Sequence, residues 1–246
     1  MILATGCQPP AERIRPDHTA PPGFFRNEVI GKSVQNRPID CWTLGSGPDV
    51  TLIIATIHGD EPAGTPLVRR LASHLAQHPT LLAGRTLLIV PMANPDGHVA
   101  HRRVNARGID LNRNYPASNY DSHGDHGHAP LSEPESRALH QLVESRRPAR
   151  VLSFHQPIRS GSACIDFDGP AADLAAAMAA ACDLPVKKLG GRPGSLGSYV
   201  GETLGRPIIT VELPAESSHW DESTLWSRYG DMLLAAIRFS TAARSD

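Results

Sequence analysis

Aromatic residues are scarce in this chain: Phe, Tyr and Trp make up 5% of its 246 residues. The formal net charge is -1, and no stretch concentrates Lys and Arg. Proteins that grip nucleic acid need a basic patch, and those that stack bases need aromatics beside it. Neither is present, so nucleic acid is not an expected partner. No apolar run approaches the length that a membrane-spanning helix requires. Cys7, Cys41, Cys164 and Cys182 are too few for a disulfide scaffold and form no C-x-x-C pair, so reduced structural thiols are expected. What the chain does have is 40% hydrophobic residues, enough for a sizeable core, and a length suited to a single α/β domain.

The first residues, Met1-Ile-Leu-Ala-Thr-Gly-Cys7, are similar to the end of a lipoprotein signal but too short to form one. A cytoplasmic protein is the expectation for the sequence as it stands. The alternative is an envelope lipoprotein acylated at Cys7, with its start further upstream. Residues 1–24, rich in Pro and polar groups, are expected to form a flexible tether, and residues 25–246 a single domain.

Four nearly continuous apolar runs, at 50–57, 86–91, 151–155 and 208–213, read as strands covered on both faces. Helical spacing appears between them. Pro62 suits a first helical turn, after which Leu67, Val68, Leu71 and Leu75 share one face. Ser132-Glu-Pro-Glu135 has the form of a capping box ahead of Ala138, Leu139, Leu142 and Val143. The Ala-rich stretch 171–181 and residues 222–239 complete the helices. This alternation predicts a three-layer α/β/α sandwich around a mixed, mostly parallel sheet. Ligand sites in such sheets gather at the carboxyl ends of strands, where His58, His155 and Glu212 fall.

His58 stands at the mouth of the first apolar run, with Glu61 three residues on. Imidazole nitrogen and carboxylate oxygen suit zinc, and a catalytic zinc takes three protein ligands with a fourth position open. His155 supplies a third candidate at the end of another run. Taken singly, these residues have plainer readings: a solvated turn with a capping glutamate, and a satisfied core histidine. At equivalent strand ends they favour a metal. Glu212 lies within an apolar run, where a carboxylate is costly unless paired or functional. Two readings stand for it, a buried ion pair with an arginine or a general base acting on metal-activated water. The segment from Arg102 to Asn114 reads as a charged loop on composition alone. Beside a zinc site, its Asn112-Arg113 pair suggests a substrate with a free terminal carboxylate. Asp110 would then orient a metal-bound histidine through its far ring nitrogen.

The phrases His58-Gly-Asp-Glu61, Asn94-Pro-Asp-Gly97, Asp110-Leu-Asn-Arg-Asn114, Ser153-Phe-His155 and Val211-Glu-Leu-Pro214 occur in that order. Together they resemble the motif set of the M14 zinc carboxypeptidases. Arg103 with the residues up to Asn114, Ser132-Glu-Pro-Glu135, Ala163-Cys-Ile165 and Pro193-Gly-Ser-Leu-Gly-Ser198 are similar to the murein peptide amidases within that family.

The resemblance implies a zinc-carboxypeptidase-like fold and one zinc per chain, held by His58, Glu61 and His155. Glu212 would be the general base that later returns the proton to the leaving amine, and Arg103 would stabilise the oxyanion. Asn112 and Arg113 would grip the substrate's terminal carboxylate. The implied reaction is hydrolysis of the γ-D-Glu–meso-diaminopimelate bond, on a small murein peptide with a free C-terminal carboxylate. Asp60 departs from the arginine frequent in the digestive members, and their substrate-covering tyrosine has no secure counterpart. Tyr199 is the nearest expected substrate contact. Diaminopimelate adds an ammonium and a carboxylate at its far end, and Asp166 and Asp168 are the expected ammonium partners, against the plainer reading of a solvated turn.

Two rival functions accompany this reading. An N-acyl-amino-acid deacylase of the aspartoacylase or succinylglutamate desuccinylase type would share the zinc turn. A murein-peptide-binding protein would keep the pocket without turnover. His123, His126 and His128 are expected to form a flexible surface loop at the groove's border rather than a second metal site.

Overall fold

The computed structural model describes residues 23–156 and 163–240. The expectations placed on the first 22 residues, including acylation at Cys7, lie outside the described residues. Seven strands make one sheet: β1 (Phe25–Lys32), β2 (Pro38–Gly45), β3 (Asp49–Ile54), β4 (Arg85–Val90), β5 (Arg150–His155), β6 (Cys164–Asp168) and β7 (Ile208–Glu212). Their order is β1-β2-β4-β3-β5-β7-β6. The central strands β4, β3, β5 and β7 pair in parallel, while β1–β2, β2–β4 and β6–β7 pair antiparallel. Only β2 and β6 therefore run against the common direction, giving the mixed, mostly parallel sheet expected.

The four central strands are the four apolar runs of the sequence. Two of the other three escape that reading because of where they lie, while β2 (Pro38–Gly45), inside the sheet, interrupts its apolar residues with Asp40 and Thr43. β1 and β6 are the two edges, and the residues of β1 are exposed or half-exposed along its length. An edge strand needs no continuous apolar run, since only part of it is covered.

Helices cover both faces. On one side α1 (Gly64–Gln77), α4 (Ala172–Ala179) and α5 (Glu222–Arg238) bury Leu71, Leu174 and Leu233 against Ile53, Leu87, Phe154 and Val211. On the other, α3 (Pro134–Arg146) buries Leu139 and Val143 against Leu52, Ile54, Val90 and Val151. Neighbours such as Leu52 and Ile53 thus face opposite layers, as the two-residue strand period requires. A short helix, α2 (Pro95–Val99), follows β4 with Asn94 as its N-cap.

The capping box does not form. Helix α3 begins after Glu133, which makes no side-chain cap. Ser132 Oγ instead donates to Glu133 Oε1 at 3.0 Å and accepts from Asn114 Nδ2 at 2.9 Å. Glu135 accepts from the Val34 amide at 3.1 Å rather than reaching back to the helix start. Long-range partners take up both groups, which a local capping pattern cannot anticipate. Pro134 at the first helical position needs no donor partner and does fit the helix start.

Candidate active site

β3 ends at Ile54, and the chain must turn sharply to bring His58 back over the strand edge. Thr56 makes that turn at φ 52°, in the left-handed region that a β-branched residue rarely adopts. Such a conformation costs on the order of 1–3 kcal/mol and persists only where neighbours hold it. They do: the Thr56 carbonyl accepts from the Asn94 amide at 2.9 Å, and its hydroxyl lies 2.8 Å from Thr65 Oγ1. Gly59 follows because the turn presses against α2, and a Cβ there would stand 2.0 Å from the Gly97 carbonyl carbon. Asn94 binds the pieces together. Its Oδ1 accepts from the Gly97 amide, and its Nδ2 donates to the carbonyls of Ile57 and Arg103 at 3.2 and 3.3 Å. The Asn-Pro-Asp-Gly phrase is thus the brace beneath the histidine turn.

The brace positions three ligand atoms around one point. His58 Nδ1 lies 2.9 Å from Glu61 Oε2, His155 Nδ1 lies 2.9 Å from the same oxygen, and the two histidine nitrogens are 3.1 Å apart. All three side chains are buried. Two imidazole nitrogens and a carboxylate oxygen turned on one another leave lone pairs opposed unless a cation stands between them. Two nitrogens and one oxygen are a donor set that zinc accepts, so the residues fit the metal. His155 ends β5 and Glu212 ends β7, and the two are register partners in adjacent parallel strands.

Each histidine is oriented from behind. His58 Nε2 donates to Asp110 Oδ1 at 3.0 Å. His155 Nε2 stands 3.0 Å from Ser153 Oγ, two residues back on the same strand face. These bonds leave both Nδ1 atoms for the metal. Ser153 stands within a motif phrase of the sequence reading but has no role there, although the two-residue period of a strand puts it beside His155. Gln156 was missed as well, and no local pattern marks it. Its amide donates to Glu61 Oε2 at 3.2 Å, while its own Oε1 accepts from the Ala63 amide at 3.0 Å.

Charges here shift one another strongly. Burial alone would depress His58, but the Glu61 and Asp110 carboxylates outweigh it and raise the imidazole to about 9 in the metal-free chain. Burial would raise Glu61, yet the two histidines hold it far below the usual carboxylate range. Arg103 is clamped, with Nη1 donating to Glu61 Oε1 at 2.9 Å and Nε to Asp110 Oδ2 at 3.1 Å. Glu212 differs from all of these. Burial pushes its carboxyl up against the downward pull of His155, and Glu61 pushes it further. Among the described residues it makes no hydrogen bond or ion pair.

Asp110→Asn is expected to weaken zinc binding about 10–100-fold, since the amide cannot accept from both His58 and Arg103. Competition against a chromogenic chelator reads this, and unchanged affinity would remove Asp110 from the metal's support.

The ligand atoms open into a cleft of about 460 Å³ that is also lined by Arg103, Asn112, Arg113, Asp166, Asp168 and Glu212. Asn112 is anchored there by its Oδ1, which accepts from the Leu196 amide at 2.9 Å. Asp168 is occupied by Lys188 at 2.5 Å. Tyr199 is not brought to the cleft. It packs in the core on the α3 side, its ring 6.1 Å from that of Tyr115 and its hydroxyl donating to Glu144 at 2.6 Å. The residue lies in a single wide π-helical turn at 198–203 that faces this layer, so chain proximity to the Pro-Gly-Ser phrase misleads about direction. His123, His126 and His128 do not line the cleft either. His126 lies 2.7 Å from Asp121 Oδ1, and its carbonyl accepts from Asn114 Nδ2 at 2.8 Å.

Residues 15–159 match the zinc carboxypeptidase family, Peptidase M14. Murein peptide amidase A of Escherichia coli is 34% identical over 221 residues, covering 80% of this chain and 84% of that protein. The γ-D-glutamyl-L-diamino acid endopeptidase 1 of Lysinibacillus sphaericus is 28% identical, over 54% of this chain and 46% of its own. The crystal structure of the murein-tripeptide amidase from Escherichia coli O157 has a TM-score of 0.67 at 32% identity, covering 92% of this chain and 96% of that one. Bovine thrombin-activatable fibrinolysis inhibitor, in complex with tick carboxypeptidase inhibitor, shares the fold at TM-score 0.73 and 17% identity, over 88% of this chain and 89% of that one. No helix among the described residues is long and apolar enough to cross a membrane. Sequence and architecture converge on one assignment: the chain belongs to the zinc carboxypeptidase family of metallohydrolases.

Proposed function

We propose that this chain is a zinc-dependent amidase that cleaves the bond between γ-D-glutamate and meso-diaminopimelate in murein peptides. The observation that carries the reading is the unpaired Glu212 carboxylate, which faces the cleft beside the three converging ligand atoms. A buried ion pair would have explained that residue without chemistry, and none occurs among the described residues. The kinship with murein peptide amidases supplies the substrate.

Zinc held by His58, Glu61 and His155 supplies Lewis acidity, which brings the pKa of water down to about 7. Glu212 takes the proton of the attacking water and returns it to the amine nitrogen as the C–N bond breaks. A carboxyl raised by burial accepts and releases a proton more evenly near neutral pH than an ordinary one. Arg103 commits Nε and Nη1 to Asp110 and Glu61, which leaves Nη2 for the oxygen that gains charge at the scissile carbonyl. Asn112 and Arg113 hold the substrate's C-terminal carboxylate, and Asp166 and Asp168 set a negative potential for an ammonium. We place the reaction in the cytoplasm, where the free thiols of Cys41, Cys164 and Cys182 stay reduced.

The test is hydrolysis of L-Ala-γ-D-Glu-meso-diaminopimelate by zinc-loaded protein. Free diaminopimelate should appear and should stop appearing on chelation. Cleavage of N-acetylaspartate or N-succinylglutamate with the tripeptide untouched would replace this reading by the deacylase one.

A further inference from the structure

The cleft wall carries charges that the hydrolytic step does not use. Asp166 on β6 is only 5% exposed, and its Oδ1 accepts from the Leu189 amide at 2.9 Å. No cation bonds to it, because Lys188, the nearby ammonium, is drawn to Asp168. Arg192 lines the same cleft, and its guanidinium makes no hydrogen bond or ion pair among the described residues. The backbone beneath it is anchored, with the Arg192 carbonyl accepting from the Ser195 amide and from Ser198 Oγ, both at 3.0 Å. This cationic arm therefore rests on a fixed turn. Its charge is felt at Arg113, which burial and the guanidinium groups of Arg103 and Arg192 hold below the usual arginine range against the pull of Asp110.

Apart from Glu212, the wall thus holds one buried carboxylate without a cation and two guanidinium groups, Arg113 and Arg192, without an anion. The buried Asp166 carboxylate without a cation is unfavourable and calls for complementary charge from a ligand, while Arg192 is exposed at the cleft, where its guanidinium is free to reach an anion. Diaminopimelate joined through one amine presents two carboxylates and one free ammonium, the same set with opposite signs. Lysine in that place presents one carboxylate and one ammonium, and would leave a guanidinium idle.

We infer that Asp166 and Arg192 form a subsite for the far amino-acid end of the diamino acid, Asp166 holding its ammonium and Arg192 its carboxylate. The inference rests on the murein-peptide reading of the cleft and adds to it the residue that separates diaminopimelate from lysine. Arg113 then serves the carboxylate beside the scissile bond, so the two guanidinium groups divide the two anions between them. A bidentate fork suits that task, and a lysine at position 192 would replace it poorly.

The test measures kcat/KM on L-Ala-γ-D-Glu-meso-diaminopimelate and on L-Ala-γ-D-Glu-L-Lys for the zinc-loaded wild type, Arg192→Gln and Asp166→Asn. The wild type should favour the diaminopimelate peptide. Arg192→Gln should lower kcat/KM at least tenfold on that peptide, mainly through KM, and leave the lysine peptide unchanged. Asp166→Asn keeps an acceptor for the Leu189 amide and should lower both. Equal loss on the two peptides in Arg192→Gln, or no loss, overturns the subsite. If the wild type cleaves neither peptide, the proposed function fails instead, and calorimetric binding of free meso-diaminopimelate against lysine decides the subsite: a preference for diaminopimelate abolished by Arg192→Gln upholds it, and no preference overturns it.

Discussion

Glu212→Gln is expected to lower kcat by about 10³-fold on the murein tripeptide, within the 10²–10⁴-fold that general acid–base catalysis contributes. The substitution keeps the size and shape of the side chain and removes its ability to take a proton. No hydrogen bond among the described residues depends on the Glu212 carboxylate, so the variant should fold, hold zinc and bind substrate as before. KM should stay within a few fold, because the loss falls on the transition state rather than on ground-state binding. The pH profile carries a second signature. Burial raises the Glu212 carboxyl, so the acid limb of kcat/KM should lie above the ordinary carboxylate range in the wild type and vanish from the residual activity of the variant. Zinc content, tripeptide binding and a pH–rate profile measured on the same preparations separate these effects. Turnover near the wild-type rate would remove Glu212 from the role of base.

Removal of the metal is expected to abolish hydrolysis and to lower the melting temperature by about 10 °C. A ligand present at a thousand times its Kd stabilises the folded state by about 4 kcal/mol, and each kcal/mol moves Tm by about 2–4 °C in a chain of this size. The physical cause lies in the three ligand atoms, which stand within 3.1 Å of one another with their lone pairs opposed. Without a cation only protons relieve that opposition. His58 accordingly holds its proton up to about 9 in the metal-free chain, because the neighbouring carboxylates outweigh the effect of burial. A group raised from its ordinary value near 6.5 contributes stability that is complete below that value and fades as pH rises through about 9. The metal-free protein should therefore lose stability between pH 6.5 and 9, relative to a zinc-loaded sample scanned in parallel. Zinc binding at neutral pH should release a proton, which calorimetry in buffers of different ionisation enthalpy detects. A Tm unmoved by chelation would mean that the three residues do not bind metal tightly in the folded chain.

Much of this was legible in the sequence because the signals were local. The apolar runs that became β3, β4, β5 and β7 are nearly continuous because strands buried on both faces leave few positions for a polar residue. His58 and His155 could be picked out because each ends such a run, with Glu61 three residues after His58, and strand ends in one parallel sheet meet at one edge. Their residue types selected zinc. The charged character of the Arg103–Asn114 segment, the lack of any membrane-length apolar run and the sparse cysteines were matters of composition and order alone.

Tertiary structure decided what depends on direction and distance. Ser132 and Glu135 fit a capping pattern, but partners far along the chain, Asn114 and Val34, bind them better than the helix start does. Tyr199 sits close in sequence to the phrase that lines the cleft, yet its turn sends the ring into the core and its hydroxyl to Glu144. Gln156 and Arg192 acquire their places only because the fold brings the end of β5 and the 189–197 segment to one cleft. By itself the sequence determined which residues carry the chemistry of a metal and which strands hold them, since burial and periodicity are written residue by residue. The pairing of charges in the cleft, and above all which of them stay unpaired, was decided by the fold, because electrostatic partners are set by separation in space and not along the chain.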